Sequence, residues 1–389
     1  MNLKDIMSDQ SSYELLAIHL EKLPGGFARA ASGVELRILN RLFTPDEAWV
    51  AAHIALLPEP LKVVAFRSHL PLLKTKEILD CLVEKRLISS FPVRGKTHFM
   101  AQQFVVGFWE GQVDHLNRDL VEDFEEYLPA YADTGLWGKS PQLRVIPVKK
   151  SISLQSRVMP YEQVTCILDQ HRSFAVANCI CRQEQRLLGQ DCGKPLETCL
   201  AFDGAVEYFV QTGRGREISR EEAGDLIDLA EKTGLVLQPS NTLNPGNICM
   251  CCGDCCGVLR SVKMKPKPAN EVATDFYAVL DAELCTGCKT CLKRCQMDAL
   301  TVTDGMARLD GDRCIGCGLC VSTCKFGALT IVRKSKSDLP QLPVNDIILG
   351  IRMAQTHGQL GWGQILGILL RSGIDRIRAR ITFGSNNNS

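Results

Sequence analysis

Cys285-Thr-Gly-Cys288-Lys-Thr-Cys291-Leu-Lys-Arg-Cys295 and, 29 residues further on, Cys314-Ile-Gly-Cys317-Gly-Leu-Cys320-Val-Ser-Thr-Cys324 decide how the last third of this 389-residue chain is built. Both stretches read C-x2-C-x2-C-x3-C. That spacing is a ligand run for a 4Fe-4S cubane, because three closely spaced thiolates wrap one face of a cube while a fourth arrives from elsewhere. The copies also agree outside the cysteines: Asp281, Gly287, Ala299 and Leu300 recur as Asp310, Gly316, Ala328 and Leu329 at the same offset. A duplicated half-domain with two clusters is the simplest reading. Two zinc sites would need four cysteines per half but no repeated x2-x2-x3 run, so the pattern favours iron and sulfide.

These runs resemble the two-cluster bacterial ferredoxin domain, over roughly residues 272–333. In that family the fourth cysteine of each run ligates the other cluster. The resemblance therefore implies one cluster on Cys285, Cys288, Cys291 and Cys324, and a second on Cys314, Cys317, Cys320 and Cys295. Proline usually follows the fourth cysteine in the family. Here Gln296 and Lys325 stand instead, with an expected effect on turn geometry and cluster potential.

Upstream, the cysteines continue. Of the 19 in the chain, nine more gather between Asn178 and Gly257: Cys179, Cys181, Cys192 and Cys199, then Cys249-Met-Cys251-Cys252-Gly-Asp-Cys255-Cys256. Neither group is a ferredoxin run. Thiolates this close repel one another unless a metal neutralises them, so the segment is a candidate for an additional centre. An additional Fe-S cluster is the favoured reading, with zinc or a thiol-disulfide relay as alternatives. Adjacent cysteines such as Cys251 and Cys252 point in different directions, so each pair can serve two centres. A helix with Ser219 and Glu222 as capping box and Gly234 at its end is expected to bring the two groups together. Cys166 reads as core, and His171 near a helix end as a surface or capping group. Through Cys179-Ile-Cys181-Arg182, the Cys192–Cys199 segment, the Cys249–Cys256 block and the paired runs, nearly the whole chain resembles 4Fe-4S dicluster proteins of anaerobic bacteria such as sulfate reducers. That resemblance implies a redox function without naming a substrate.

The first third reads differently. A short leading helix over residues 12–23 stops at Pro24-Gly25-Gly26. Thr44, Pro45 and Glu47 open a second helix with a capping box. A third runs from about Thr75 to Leu87 with Ile78, Leu79, Leu82 and Val83 on one face and Cys81 as packing. Two strands follow, Leu87–Val93 and Thr97–Val106, around Arg94-Gly95-Lys96. Helices followed by a hairpin make a winged helix, a DNA-binding form whose basic residues here would be Lys74, Lys76, Lys85, Arg86, Arg94 and Lys96. A protein-docking module is favoured over DNA, because DNA contact needs a stronger basic footprint. The acidic stretch with Glu122, Asp123, Glu125 and Glu126 is expected to pack back as a helix and would repel phosphate.

The expected architecture is thus an α+β multidomain chain. It comprises a helical and winged-helix-like module over 1–140, a cysteine-rich domain over 141–261 expected to hold metal or Fe-S, the dicluster ferredoxin domain over 272–333 and a helical tail over 344–383. Val262–Asn270, rich in Lys and Pro, reads as an extended linker, and Arg333–Pro343 as a second. In the tail, Leu366, Leu369, Leu370, Ile374 and Ile377 fall on one helical face. The surrounding Arg371, Arg376, Arg378 and Arg380 allow a peripheral membrane contact, although docking on protein is preferred.

Charge is nearly balanced, with 45 basic against 44 acidic residues, which gives no bias of the whole chain toward nucleic acid. No signal-like segment opens the sequence and no run reaches the roughly 18–20 apolar residues of a spanning helix, so a cytoplasmic setting is expected. Dinucleotide-binding, P-loop, zinc-protease, nucleophile-elbow and haem-attachment motifs are absent. These features point to an electron carrier or an oxidoreductase subunit with redox partner proteins, rather than an independent enzyme. Two alternatives stand: a redox-responsive winged-helix DNA-binding regulator, and an Fe-S reductase with its active centre in the middle cysteines.

Overall fold

A computed structural model describes residues 9–133, 139–153, 158–335, 341–356 and 362–384. The chain divides into two compact units, Met1–Thr134 with Ile351–Ser389, and Gly135–Gly350.

The first unit opens with helices α1 (Asp9–Glu21), α2 (Val34–Leu42) and α3 (Pro45–Ala51). The capping box of α3 forms as read: Thr44 Oγ1 accepts from Glu47 N (3.3 Å) and Glu47 Oε2 accepts from Thr44 N (2.7 Å). After strand β1 (Glu59–Pro60) come α4 (Leu61–Ser68) and α5 (Leu72–Glu84). The last begins earlier than the pattern indicated because Pro71, extended at φ −59°, already serves as its N-cap. Cys81 on α5 is exposed instead of packed. Strands β2 (Ile88–Val93) and β3 (Lys96–Ala101) form the hairpin, and β1 adds to it in the antiparallel order β1-β3-β2. Helix α6 (Arg118–Ala132) turns its acidic side onto α2, where Asp123 accepts from Arg37 (3.2 Å) and Arg41 (2.6 Å).

The tail helix α14 (Trp362–Phe383) belongs to this unit, and the face it buries is not the apolar one. Ser372, Asp375 and Ala379 are buried, with Ser372 donating to Glu59 (2.6 Å) and Asp375 accepting from Arg67 (2.7 Å). Leu370, Ile374 and Ile377, joined by Ile381, are exposed at 58, 48, 61 and 78%. The side chains of Leu366 and Leu369 lie outside the described residues. Among the described residues no helix is long and apolar enough to cross a membrane. Arg67 is the hub of the contact, because it also pairs with the fully buried Glu59. Replacing it with alanine strands a carboxylate away from water. Arg67→Ala should therefore lower the stability of this unit by about 3–5 kcal/mol in chemical denaturation, and a loss below about 1 kcal/mol, the ordinary worth of a surface pair, would contradict the buried network.

The second unit is built on an antiparallel five-stranded sheet absent from the sequence reading. Its strands are β4 (Phe174–Asn178), β5 (Glu197–Phe202), β6 (Gly215–Ile218), β7 (Val236–Pro239) and β8 (Asn247–Cys251), in the order β6-β4-β5-β8-β7. Strand alternation gives it two different faces. Phe174, Val176, Leu200, Phe202, Ile248 and Met250 form an apolar core with Ala223, Ile227 and Ala230 of α10 (Arg220–Thr233). The opposite face carries small residues, Ala175, Ala177 and Ala201, under α9 (Gly204–Gln211). Half of the expected capping box forms at α10: Ser219 accepts from Glu222 N, while the Glu222 carboxylate turns to Arg216. Helices α7 (Val164–Asp169) and α8 (Ile180–Leu187) precede α9 in this unit.

The ferredoxin segment packs into the same unit. Its strands β9 (Phe276–Leu280), β10 (Leu300–Thr303), β11 (Met306–Leu309) and β12 (Leu329–Arg333) pair as β9-β12 and β10-β11. Met297, Ile315 and Leu319 join the core of the five-stranded sheet. The segment expected as an extended linker is structured instead, because its backbone finds partners. It comprises the end of α11 (Gly257–Lys263) and α12 (Pro268–Glu271). Lys263 O accepts from Arg313 (3.1 Å), and Ala269 N donates to Asp312 O (2.9 Å). Helix α13 (Asp346–Thr356) starts at Asp346, whose carboxylate accepts from Gly246 N (3.0 Å).

Candidate metal centres

The 29-residue repeat is a repeat of hydrogen bonds as well as of letters. Ala278 N donates to Cys314 Sγ and Ala307 N to Cys285 Sγ, both at 3.4 Å. Asp281 N donates to Ala328 O and Asp310 N to Ala299 O, both at 2.8 Å. Each half thus supplies the backbone donors for the other half's first cysteine. The two glycines inside the runs have the same counterpart: a Cβ at Gly287 (φ +66°) would lie 2.0 Å from Gly305 O, and one at Gly316 (φ +67°) would lie 2.2 Å from Phe276 O.

The thiols group accordingly. Cys295, Cys314, Cys317 and Cys320 line one small cavity. Burial pushes Cys317 up to about 12 and Cys320 higher, with the neighbouring cysteines adding to both. Such sulfurs do not ionise alone, and a bound cation reverses that cost. In the other run, burial raises Cys291, with Cys288 and Cys285 adding charge repulsion. Cys324 packs into one small core with Cys285 and Cys291, a core that Cys295, Cys314 and Cys320 also enter. Residues and donor set fit cubane ligation. The two halves differ in surroundings, however: Cys288 is exposed and 3.5 Å from the Thr290 hydroxyl, whereas its counterpart Cys317 accepts a backbone bond from Val148 N (3.0 Å).

The middle cysteines are brought together by the sheet, not by α10, which packs on the opposite face. Cys199 and Cys249 are direct partners across β5 and β8, and Cys251 lies two residues along on the same face. From there a continuous series forms. Cys249 shares hydrogen bonds with Cys199 and Cys251, Cys256 with Cys251 and Cys181, and Cys181 with Cys179. The direction in which each thiol is shifted alternates along it. Hydrogen bonds from neighbouring thiols hold Cys249, Cys256 and Cys179 below the usual thiol range, while Cys199, Cys251 and Cys181 are raised by donating them. Cys179 and Cys256 stand at the N-cap positions of α8 and α11, and the backbone N–H groups of Arg182, and of Leu259 and Val258, help to lower them.

The remaining three thiols form a separate set. Cys192, Cys252 and Cys255 have all their sulfurs within 4.8 Å of one another, with Cys192 and Cys252 at 4.0 Å. Each vicinal pair is therefore divided: Cys251 and Cys256 belong to the six, Cys252 and Cys255 to the three. Arg182 lies between them, buried, donating to Met250 O (2.7 Å), Pro195 O (2.9 Å) and Thr198. Burial works against its charge, yet Cys179, Cys252 and Cys251 hold its pKa above the ordinary arginine value.

Sequence reasoning missed two partners of these sulfurs. Arg214, stacked 4.3 Å over Phe209, reaches Cys199 Sγ at 3.7 Å. Gln296 accepts from Gly253 N (2.7 Å), fastening the Cys252–Cys255 turn to the residue after Cys295. Its signal was the missing proline. His171 is not a surface group: it is buried, stacked on Phe202 at 4.5 Å and bonded to Asp203 at 2.8 Å, apart from the three-thiol set. Cys166 is half-buried and bonded to Gln163 (3.6 Å).

Comparison with known proteins bears on one part of the chain. Residues 277–325 match the family model of a 4Fe-4S dicluster domain. No curated protein and no solved structure matches the chain. The iron-sulfur character of the segment is thus supported from outside, while the wider likeness to dicluster proteins of anaerobic bacteria finds no support in these comparisons.

The repeated glycines give a direct check. A left-handed backbone alone costs a residue with a Cβ about 1–2 kcal/mol, and the carbonyl contacts add to it. Gly287→Ala and Gly316→Ala should each lower both the melting temperature and the iron-to-protein ratio. Wild-type iron content in both would contradict the close approach.

Proposed function

We propose that the chain is an iron-sulfur electron-transfer protein, a component of a redox system in which a two-cluster module serves the thiol-rich sheet beside it. The observation that carries this reading is the broken symmetry of the repeat. One run has the exposed Cys288, the exposed Leu284 and Phe326 lie next to Cys285 and two residues after Cys324 along the chain, and this is the side a partner protein can approach. The other run is walled by Val148 and by Gln296 against the Cys252–Cys255 turn, and this is the side facing the middle thiols. Bound clusters supply one-electron oxidation and reduction; the residues of the chain supply ligands, burial and N–H donors to sulfur. The ligand sets implied by the family are Cys285, Cys288, Cys291 with Cys324, and Cys314, Cys317, Cys320 with Cys295. The six-thiol series, Cys179, Cys181, Cys199, Cys249, Cys251 and Cys256, is the candidate for a further iron-sulfur centre.

Anaerobic purification with iron, sulfide and electron paramagnetic resonance measurements tests this. The two ferredoxin runs account for about eight irons, and more than that is expected. Cys249→Ala and Cys256→Ala should remove the excess and leave the ferredoxin signals. About eight irons in the wild type would remove the six-thiol series from the reading. Crossed ligation has its own signature: Cys324→Ser should perturb the same resonance as Cys288→Ala, and Cys295→Ser the same one as Cys317→Ala. Perturbation within each run instead would refute the crossing.

The hairpin and preceding helices of the first unit support a winged-helix reading, but not DNA as its ligand. Lys74, Lys76, Lys85 and Arg86 pair with Asp46, Asp80, Glu47 and Asp114. Protein docking suits this surface better. The tail supports a peripheral membrane contact. Leu370, Ile374, Ile377 and Ile381 recur at helical spacing as an exposed stripe, and the exposed Arg371, Arg378 and Arg380 flank it on a helix already docked by its other side. Sedimentation with anionic vesicles should carry the wild type down and leave Ile374→Glu/Ile377→Glu in solution. Equal partition of the two would exclude the contact.

A further inference from the structure

We infer that Cys192, Cys252 and Cys255 form a mononuclear metal site, distinct from the iron-sulfur centres, in which three thiolates bind one divalent metal and leave its fourth position open. The inference deepens the reading of the middle cysteines as metal ligands. It is separable from that reading, because the two sets of thiols share no residue.

Spacing comes first. Thiolates around one tetrahedral zinc, with Zn–S near 2.3 Å, stand about 3.8 Å apart. Cys192 and Cys252 are at 4.0 Å, and all three sulfurs fall within 4.8 Å. In a cubane each thiolate binds a different iron at a different corner, so its ligands spread wider than those sharing a single ion. The ferredoxin thiols of this chain do not form such a set: among the described residues the three-thiol group is the only one that closes to this distance.

The chain delivers these three sulfurs from two places. Cys252 and Cys255 flank the tight Gly253-Asp254 turn between β8 and α11, and the turn is pinned from below by Gln296 on Gly253 N. Cys256 N donates to Cys252 O (3.1 Å), closing the loop. Cys192 comes from the segment after α8, a segment tied down by Arg182 through Pro195 O and by Lys194 through Asp254 (3.2 Å). C-x2-C with one distant cysteine is a zinc-type ligand arrangement, and three soft anionic donors select zinc over magnesium or calcium.

No fourth Cys, His, Asp or Glu ligand atom among the described residues joins the group within 4.8 Å. Cys192 is half-exposed while Cys252 and Cys255 are buried. A metal here therefore has protein on three sides and an approach from the Cys192 side. Three thiolates on a divalent ion give a net single negative charge, which the adjacent Arg182 offsets, while the nearby Lys194 ammonium is paired with Asp254. A near-neutral site with soft ligands suits a small soft donor, a hydrosulfide or a low-molecular-weight thiol, as the fourth ligand. Binding the metal releases protons from those thiols still protonated, and no electron is transferred.

The full-length holoprotein, purified anaerobically, should contain one zinc per chain in addition to its iron. Cys192→Ser and Cys255→Ala should each abolish that zinc and leave iron, sulfide and the ferredoxin resonances unchanged. Co2+ loaded in place of zinc should give tetrahedral thiolate charge-transfer bands, which shift on addition of 2-mercaptoethanol. A wild type without zinc, or variants that lose iron and sulfide together, would overturn the mononuclear site. Cobalt bands unmoved by the added thiol would overturn its open position. Loss of the excess iron in Cys249→Ala, by contrast, bears on the six-thiol series alone.

Discussion

Negative charge gathered on sulfur is the constraint that organises the second unit. Six thiols in one series and three in another lie close enough to share protons, and a thiolate beside a thiolate is unfavourable in a low-dielectric interior unless a cation or a hydrogen-bond donor answers it. The fold supplies those answers in layers. Within the series, thiols held below and thiols pushed above the usual range alternate. Around it stand Arg182 and Arg214, the amide of Gln238 on Cys256, and the N-termini of α8 and α11. Metal ions are the compensation proposed for what remains. A sheet face built of alanines leaves room for sulfur where a core would otherwise put Leu or Val.

The same constraint explains why the ferredoxin repeat is symmetric in its interior and asymmetric at its surface. Backbone donors to Cys285 and Cys314 come from the opposite half in both cases, so neither half makes a complete ligand shell alone. Toward the outside the halves part company. Gly318 has Ser151 and Val148 pressed against it, and Cys317 is half-buried, while Cys288 faces solvent. A duplicated module loses its symmetry when one end is covered by neighbouring chain and the other is not.

Gln296 shows how a departure from a family pattern acquires meaning only in three dimensions. Read locally, the loss of proline after Cys295 bears on a turn. In the structure its side chain accepts from Gly253 N, and a Cβ on Gly253 would meet Gln296 O at 2.3 Å, so glycine and glutamine are matched across the junction. The expected linker at 262–270 erred for a similar reason. Lysine and proline describe its side chains well, but Lys263 O and Ala269 N are bonded to the ferredoxin half through Arg313 and Asp312.

The sequence by itself determined what depends on neighbours along the chain. The x2-x2-x3 spacing, the 29-residue repeat, the Thr44 and Ser219 caps and the hairpin around Gly95 are set by short-range geometry, and periodicity reveals them. Only the tertiary structure decided what depends on register between distant strands. That Cys199 faces Cys249 follows from β5 pairing with β8, and the packing around that pair parts Cys251 and Cys252 to different sets and closes Cys192 on Cys252. The strands β4 to β8 span only four to six residues each, so their two-residue period is weak in the sequence. A shift of β8 by one residue against β5 would turn Cys249 and Cys251 to the other face.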